Sequence, residues 1–147
     1  MTVSFLAENT RSRERLDWLV KCLTDEELGY CMDQGWTVAA VLAHLAFWDQ
    51  RACSLLRRWK ENGVGPSPID IDNVNEALLP ILLIVPPRQA AKLAITAAEV
   101  VDRELSNASS ELVMAIEAQG KFRLRRSEHR QEHLDQIERS LKTHRGE

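Results

Sequence analysis

The sequence predicts an all-α protein, a bundle of four long helices with short helices between them. Apolar residues recur every three or four positions through four long segments, which is the period of a helix that buries one face. No segment alternates apolar and polar residues as a strand would. Gly, Pro and small hydroxyl residues separate the helical segments. We expect one domain over residues 1–147, since this length is typical of a single domain.

The first predicted helix extends from about Val3 to Cys22. Its apolar positions are Phe5, Leu6, Leu16, Leu19 and Val20. Thr24-Asp25-Glu26-Glu27 then has the form of a capping box, which predicts a short further helical turn. Tyr30 to Gly35 is interpreted as a connector.

The clearest helix is predicted from Thr37, its N-cap, to about Asn62. Its apolar stripe comprises Val38, Val41, Leu45, Trp48, Ala52, Leu55 and Trp59. His44 falls roughly 60° from the middle of this stripe, so its imidazole is expected to point into the protein or along a cleft. The helix ends in a Gly- and Pro-rich loop over residues 63–68.

Asp70 to Leu79 is predicted to form a short helix that Pro80 limits. The run Leu78–Val85 is strongly apolar but only about half as long as a membrane span. One interpretation is a buried connector that crosses the end of the bundle. The other is the interface of a homodimer, because a monomer rarely exposes so much contiguous apolar surface. Light scattering that detected only monomer would contradict the second interpretation.

Pro86-Pro87 is placed to start the next helix, Arg88 to Asn107. Its apolar rhythm is carried by Leu93, Ala97, Val101 and Leu105. Ser109-Ser110 begins a short helix to about Gln119, and Gly120 ends it. Ser127 is expected to cap a last helix to about Thr143. The four long helices favour an antiparallel-type bundle with a crossover in the long connection.

Composition excludes several classes of protein. The net charge of -3 argues against nucleic-acid binding. The sequence has neither a signal-peptide pattern at its N-terminus nor an apolar run of about 18 residues, so a cytoplasmic protein without membrane association is expected. Cys22, Cys31 and Cys53 form no C-x-x-C pair, which fits reduced thiols. We interpret them as structural, with a nucleophilic role for one of them as the alternative.

Three histidines are candidates for one metal site. His129 and His133 are four residues apart in the last helix, so both rings leave the same side, next to the apolar stripe. With His44 they could meet across the bundle and hold Zn²⁺ or Ni²⁺, leaving a position open for water or substrate. The alternative is that all three are ordinary core or surface histidines. His144 lies about 16 Å further along the axis and is expected to be a solvated terminal residue.

A basic cluster leads into the last helix: Lys121, Arg123, Arg125, Arg126 and Arg130. One interpretation is an anchor for a carboxylate or phosphate of a substrate or thiol cofactor, with Arg126 or Arg130 as the binding residue. The alternative is a solvated face balanced by Glu128 and Glu132.

The tryptophans, Trp18, Trp36, Trp48 and Trp59, are expected mostly in the core. Trp48 follows His44 by one helical turn and would also wall a substrate pocket. Glu132 and Asp49 are candidates for a general base because they are close to the histidines in sequence. No P-loop, dinucleotide or G-x-S-x-G fingerprint is present.

Two motifs carry a resemblance to a known family. Trp36-Thr37 with Val41-Leu42-Ala43-His44-Leu45 and Trp48, and the distal His129-x-x-x-His133-x-x-Gln136-Ile137, resemble the DinB-like superfamily of metal-binding four-helix bundles. That superfamily includes the N-terminal domain of mycothiol-dependent maleylpyruvate isomerase. The resemblance covers nearly the whole chain. It implies an up-down-down-up bundle with a divalent ion held by His44, His129 and His133.

Members similar to this chain include thiol S-transferases that use mycothiol, bacillithiol or glutathione, an isomerase and hydrolase-like proteins. The isomerase branch has Glu at the position of His129, and this chain leaves no room for that enzyme's second domain, so the isomerase activity is not expected. The first hypothesis is therefore a metal-dependent enzyme that activates a thiol or water against a small electrophile. The second is a non-catalytic bundle that binds a small ligand or serves as an oligomeric module.

Overall fold

A computed structural model of the chain describes residues 2–146, and the side chains from Phe5 onward. The helices are α1 (Thr2–Cys22), α2 (Asp25–Leu28), α3 (Val38–Asn62), α4 (Ile71–Leu82), α5 (Pro87–Ser106), α6 (Ser110–Gln119) and α7 (Ser127–Arg145). One turn of 3₁₀-helix covers Asp33–Gly35, and a single β-bridge joins Cys31 to Thr37. Since residues 2–146 contain no strand, the all-α prediction is confirmed.

Local capping explains where several helices begin and end. The Thr24 hydroxyl accepts a hydrogen bond from the Glu27 N–H while the Glu27 carboxylate accepts one from the Thr24 N–H, which confirms the capping box. Thr37 caps α3 through the N–H of Ala40, at 3.1 Å. Gly120 ends α6 with a φ of 75°, a left-handed conformation that glycine adopts without strain.

Two predicted boundaries were wrong. Ser127 does not cap α7; its own N–H donates to the side-chain oxygen of Asn9 in α1, at 3.0 Å, so the cap comes from another helix. Pro80 does not limit α4, which continues to Leu82. Its missing N–H removes one hydrogen bond, but the last turn still closes through the Leu83 N–H and the Leu79 carbonyl, at 3.0 Å.

The four long helices form a closed ring in the order α1, α5, α3, α7. Contacts between neighbouring helices give the helix directions. Between α1 and α7, Asn9 contacts Ser127 and Arg15 contacts Asp135. Between α1 and α5, Arg13 contacts Asp102 and Leu23 contacts Arg88, and between α3 and α7, His44 contacts His129 and Asp49 contacts Arg126. Thus α1 is parallel to α7, and α5 and α3 are antiparallel to them. These directions agree with the expected up-down-down-up order.

The core differs from the predicted one at two large side chains. Trp18 is 66% exposed on the outer side of α1, and Leu93 is about half exposed on α5. The buried face of α5 is instead built mainly of alanines, which allow α3 to approach closely: Ala90, Ala91, Ala94, Ala97 and Ala98. Trp59 is buried as expected.

The apolar run Leu78–Val85 forms the end of α4 and the turn that follows it, and it is not a buried connector, so that interpretation was wrong. Ile84 is 82% exposed, and Ile81 and Leu83 are also exposed, whereas Leu82 is buried. Ile71, at the start of α4, is exposed too. The homodimer interface stays a prediction. None of the helices in residues 2–146 combines the length and the apolar content that a membrane crossing requires.

A buried ion network crosses the centre of the bundle. Arg130 of α7 is 1% exposed and donates to Asp49 of α3 and to Asp102 of α5, the latter at 2.7 and 3.0 Å. Asp102 also accepts from Arg13 of α1, at 2.9 Å. The Arg130 guanidinium donates further to the Asn9 carbonyl, at 3.0 Å. All four long helices are therefore tied to one side chain.

We predict that Arg130→Ala lowers the free energy of unfolding by about 3–5 kcal/mol, because buried carboxylates lose their partner and a cavity remains. Urea denaturation measures this loss. Arg58→Ala, at an exposed position of α3, is the matched control and should stay within about 0.5 kcal/mol of wild type. A loss below about 1 kcal/mol for Arg130→Ala would contradict the central role of the network.

Candidate metal centre

Three imidazoles from two helices meet on one side of the bundle. The His44 and His129 Nε2 atoms are 3.2 Å apart, and the His129 and His133 Nε2 atoms are 3.1 Å apart. One ring nitrogen of each residue lies within 4.8 Å of the others. The three side chains therefore meet across the bundle, as the sequence predicts.

Helix geometry explains the convergence. His129 and His133 are one turn apart on α7 and face the antiparallel α3, where His44 is buried. The His44 ring is held edge-on between the rings of Trp36 and Trp48, at centroid distances of 5.4 and 6.3 Å. These aromatic neighbours restrict the rotation of the imidazole and the access of water to it.

Two of the rings are neutral at physiological pH. Burial, followed by repulsion from His133, lowers the pKa of His44 to about 4. Burial is also the main cause that lowers the pKa of His129 to about 2, with further contributions from His133, His44, Arg126 and Arg123. Neutral imidazole is the form that binds a metal ion.

The donor set fits a divalent ion. His133 Nδ1 lies 2.7 Å from Gln136 Oε1, an oxygen that accepts from a ring N–H, and this hydrogen bond leaves Nε2 as the nitrogen that faces the other two rings. His44 Nδ1 is buried without a hydrogen-bond partner in the described chain. Zinc–nitrogen bonds of about 2.0–2.1 Å place neighbouring ligand nitrogens roughly 3.3 Å apart. The distances from His129 Nε2 to the other two rings are close to this value, and the third pair of nitrogens lies within 4.8 Å. Three such ligands leave at least one position open.

An open cavity of about 1200 Å³ adjoins the three rings. Its walls include Trp36 and Trp48 beside His44, and residues of α4 opposite α7. The Trp48 indole donates to the Asn75 side chain of α4, at 3.0 Å, and thereby fastens α4 along the cavity. Trp48 is therefore at the position expected of a pocket wall.

The family model described as "DinB superfamily" matches residues 8–139 of the chain. This protein belongs to the DinB superfamily. The matched region of this DinB chain includes His44, His129 and His133. No curated protein and no solved structure matches the chain.

The two predicted substrate-binding arginines of the DinB chain lie in different places. Arg126 lines the cavity; its Nε donates to Asp49, at 3.0 Å, and its terminal nitrogens donate to the carbonyls of Trp48 and Arg123, at 3.4 and 3.3 Å. Arg130 points into the bundle interior, where the ion network engages it. The structure gives Arg130 a role in holding the helices together.

The two candidates for a general base also differ in their surroundings. Both carboxylate oxygens of Asp49 accept hydrogen bonds, one from Arg126 and the other from Arg130, so Asp49 is committed to ion pairs. Glu132 is exposed and lines the cavity, one residue before His133. Of the two candidates, Glu132 is therefore the one with an unpaired carboxylate on the cavity wall in the described residues.

The other residues of the basic cluster have different surroundings. Arg125 pairs with Glu8 of α1, at 3.2 Å, and Lys121 is exposed. Arg123 is exposed and lines the cavity. The expected balance by Glu128 and Glu132 is not seen, since neither forms an ion pair with these residues in the described part of the chain.

His144 is more than a solvated terminal residue, although its side chain is exposed. Its ring stacks on Tyr30 with centroids 4.2 Å apart, and its Nε2 is 3.1 Å from the Cys31 carbonyl, at the far rim of the cavity. It stays outside the group of three histidines, as predicted. Cys31 and Cys22 are exposed free thiols, and the Cys53 thiol is buried.

Arg51 is a neighbour of the site that the sequence prediction missed. Its guanidinium carbon is 5.9 Å from the centre of the Trp48 ring, and its Nη2 donates to the Ser67 hydroxyl, at 2.9 Å. A signal was present, because His44, Trp48 and Arg51 follow at steps of four and three and therefore share one face of α3.

In protein stripped of metal, we predict that the free energy of unfolding decreases as the pH falls below about 6.5. Unfolded histidines take up a proton there, whereas folded His44 and His129 stay neutral to about 4 and about 2. Urea unfolding at several pH values, with chelator present, measures the slope. His129→Gln should flatten it and His144→Gln should not. Equal slopes in the two variants would contradict the low pKa of folded His129.

Proposed function

We propose that this DinB protein is a divalent-metal-dependent enzyme in which His44, His129 and His133 hold the ion. The observation that supports this proposal is the convergence of three imidazole nitrogens within 4.8 Å, with two of the rings kept neutral by burial. Zn²⁺ and Ni²⁺ are the proposed ions, because both bind neutral imidazole well.

A divalent ion at this position would supply Lewis acidity and lower the pKa of a thiol or water. The proposed reaction is accordingly the attack of a thiol or water on a small electrophile, as in a thiol S-transferase or a hydrolase. A low-molecular-weight thiol is the proposed cosubstrate in the first case. The cavity beside the three rings has room for two small molecules together.

The chain's own residues would bind and orient the reactants. Trp36 and Trp48 wall the cavity next to His44 and exclude water from one side. Arg126 would hold an anionic group, since its guanidinium is already fixed by Asp49. Glu132 would accept the proton of the attacking thiol or water, because it is the exposed carboxylate of α7 on the cavity wall.

A second candidate is a non-catalytic bundle that acts as a small-ligand binder or as an oligomeric module. The exposed apolar residues Ile81, Leu83 and Ile84 favour a surface that a second copy covers. A homodimer located in the cytoplasm fits either candidate, and light scattering on the purified protein tests the dimer.

We predict that untagged protein carries near-stoichiometric Zn or Ni by mass spectrometry, and that His129→Ala/His133→Ala abolishes it. Two of three ligands are lost in that variant, so the remaining His44 cannot retain the ion. His144→Ala, at the far rim of the same cavity, is the control and should keep the metal. Wild-type protein that is metal-free and takes up neither added ion would overturn the enzyme proposal.

We predict that Glu132→Gln reduces turnover about 10²–10⁴-fold while metal content stays unchanged, because the proton acceptor is lost and the ligands are not. The assay is the transfer of a small thiol to a chromogenic electrophile, or ester hydrolysis if the wild type shows that instead. Glu128→Gln is the matched control on α7. A Glu132→Gln variant at the wild-type rate would exclude this role for Glu132.

A further inference from the structure

Three arginines lie near Trp48 and the three histidines, and two of them contact Trp48 itself. Arg126 donates to the Trp48 carbonyl, and Arg51 lies against the Trp48 ring. Arg123 lines the cavity, and its carbonyl accepts from Arg126, which fixes the two residues side by side. Only Arg126 of these three forms an ion pair with a carboxylate within residues 2–146.

The buried carboxylates do not balance the arginines. Asp49 is shared between Arg126 and Arg130, and Asp102 is shared between Arg130 and Arg13. This network therefore holds three guanidinium groups against two carboxylates. The excess positive charge of this network lies near Arg123, at the end of the cavity that Arg126 lines, and Arg51 adds a further charge behind Trp48.

Arg51 is close enough to Arg126 for the two positive charges to repel each other. Burial and then repulsion from Arg126 lower the pKa of Arg51. The acidic residues of the cavity wall form no ion pair with Arg51 or Arg123 in the described residues; they are Asp33, Asp72, Glu76 and Glu132. An anion bound beside the histidines would relieve this repulsion.

Arg126 is preorganised to bind such an anion. Its side chain is 10% exposed, and its Nε is bonded to Asp49, so the orientation of the guanidinium plane is set before a ligand arrives. Each terminal nitrogen uses one N–H on a backbone carbonyl and retains another. Asp49 thus acts as a positioning residue for Arg126.

We propose that Arg123 and Arg126 form an anion subsite beside the three-histidine cluster, which binds the carboxylate of a small-molecule substrate. Arg51, behind Trp48, strengthens the positive potential of the subsite. The placement of the carboxylate next to the reacting group rests on the proposed function, whereas the subsite itself rests on the arginines. Substrates with a carboxylate a few bonds from the reacting thiol or electrophilic atom would then be selected over neutral and cationic ones.

Protein loaded with Co²⁺ tests the subsite through the thiolate-to-cobalt absorption band. The probes are 3-mercaptopropionate, 2-mercaptoethanol and cysteamine, which are small thiols with a negative, a neutral and a positive end. We expect 3-mercaptopropionate to bind about tenfold more tightly than 2-mercaptoethanol, and cysteamine to bind most weakly. Arg123→Gln should remove most of this preference, and Arg123→Lys should restore part of it.

Arg139→Gln is the matched control, because Arg139 lines the same cavity about 9 Å beyond His133 along α7. It should keep the preference. Equal affinities for the three thiols in wild-type protein, or an unchanged preference in Arg123→Gln, would overturn the subsite. Arg123 is exposed, so its replacement is not expected to affect folding.

A measurement without metal separates failure of the subsite from failure of the proposed function. Propionate is titrated into metal-free protein while the indole N–H resonance of Trp48, assigned with Trp48→Phe, is followed by NMR at constant ionic strength. A saturable shift that is lost in Arg123→Gln supports the subsite even if Co²⁺ does not bind. A resonance that responds equally in both proteins, or in neither, overturns it.

Discussion

The pairing of Arg130 with Asp49 and Asp102 is the constraint on which the rest of the structure depends. A guanidinium removed from water requires compensation on every side, and here each of the other long helices provides part of it. Because Arg130 follows His129 directly, the interaction that orders the bundle also fixes the rotation of α7. The ion pairs of Arg130 therefore also help to set the positions of His129 and His133.

The same network links the helices to the chemistry of the cavity. Asp49 accepts from Arg130 on its interior side and from Arg126 on the side of the cavity. Its carboxylate therefore joins an arginine of the bundle interior to an arginine that lines the cavity. The arrangement joins an ordinary helical bundle to a polar site that has a defined geometry.

Helix periodicity and capping residues were sufficient to predict most of the fold, because these signals are local. The capping box at Thr24 and the histidine pair at one-turn spacing are examples. Several predictions that failed concerned contacts between residues far apart in sequence. The capping of α7 by Asn9 and the burial of Arg130 involve residues more than a hundred positions away in sequence. Trp18 was placed in the core on its apolarity alone, although its position on α1 faces outward. Arg51 was missed because it lies on α3, far in sequence from the basic residues that precede the histidine pair.

The hydrogen bond from the Ser127 N–H to Asn9 has a consequence for the order of folding. The first turn of α7, which carries His129, is closed by a side chain near the other end of the described chain. α7 is the last of the long helices to be synthesised, so Asp49 and Asp102 lack Arg130 until then. The three histidines come together only when α7 docks against α3, which carries His44. The three imidazoles of the candidate site are therefore not brought together before the bundle has closed.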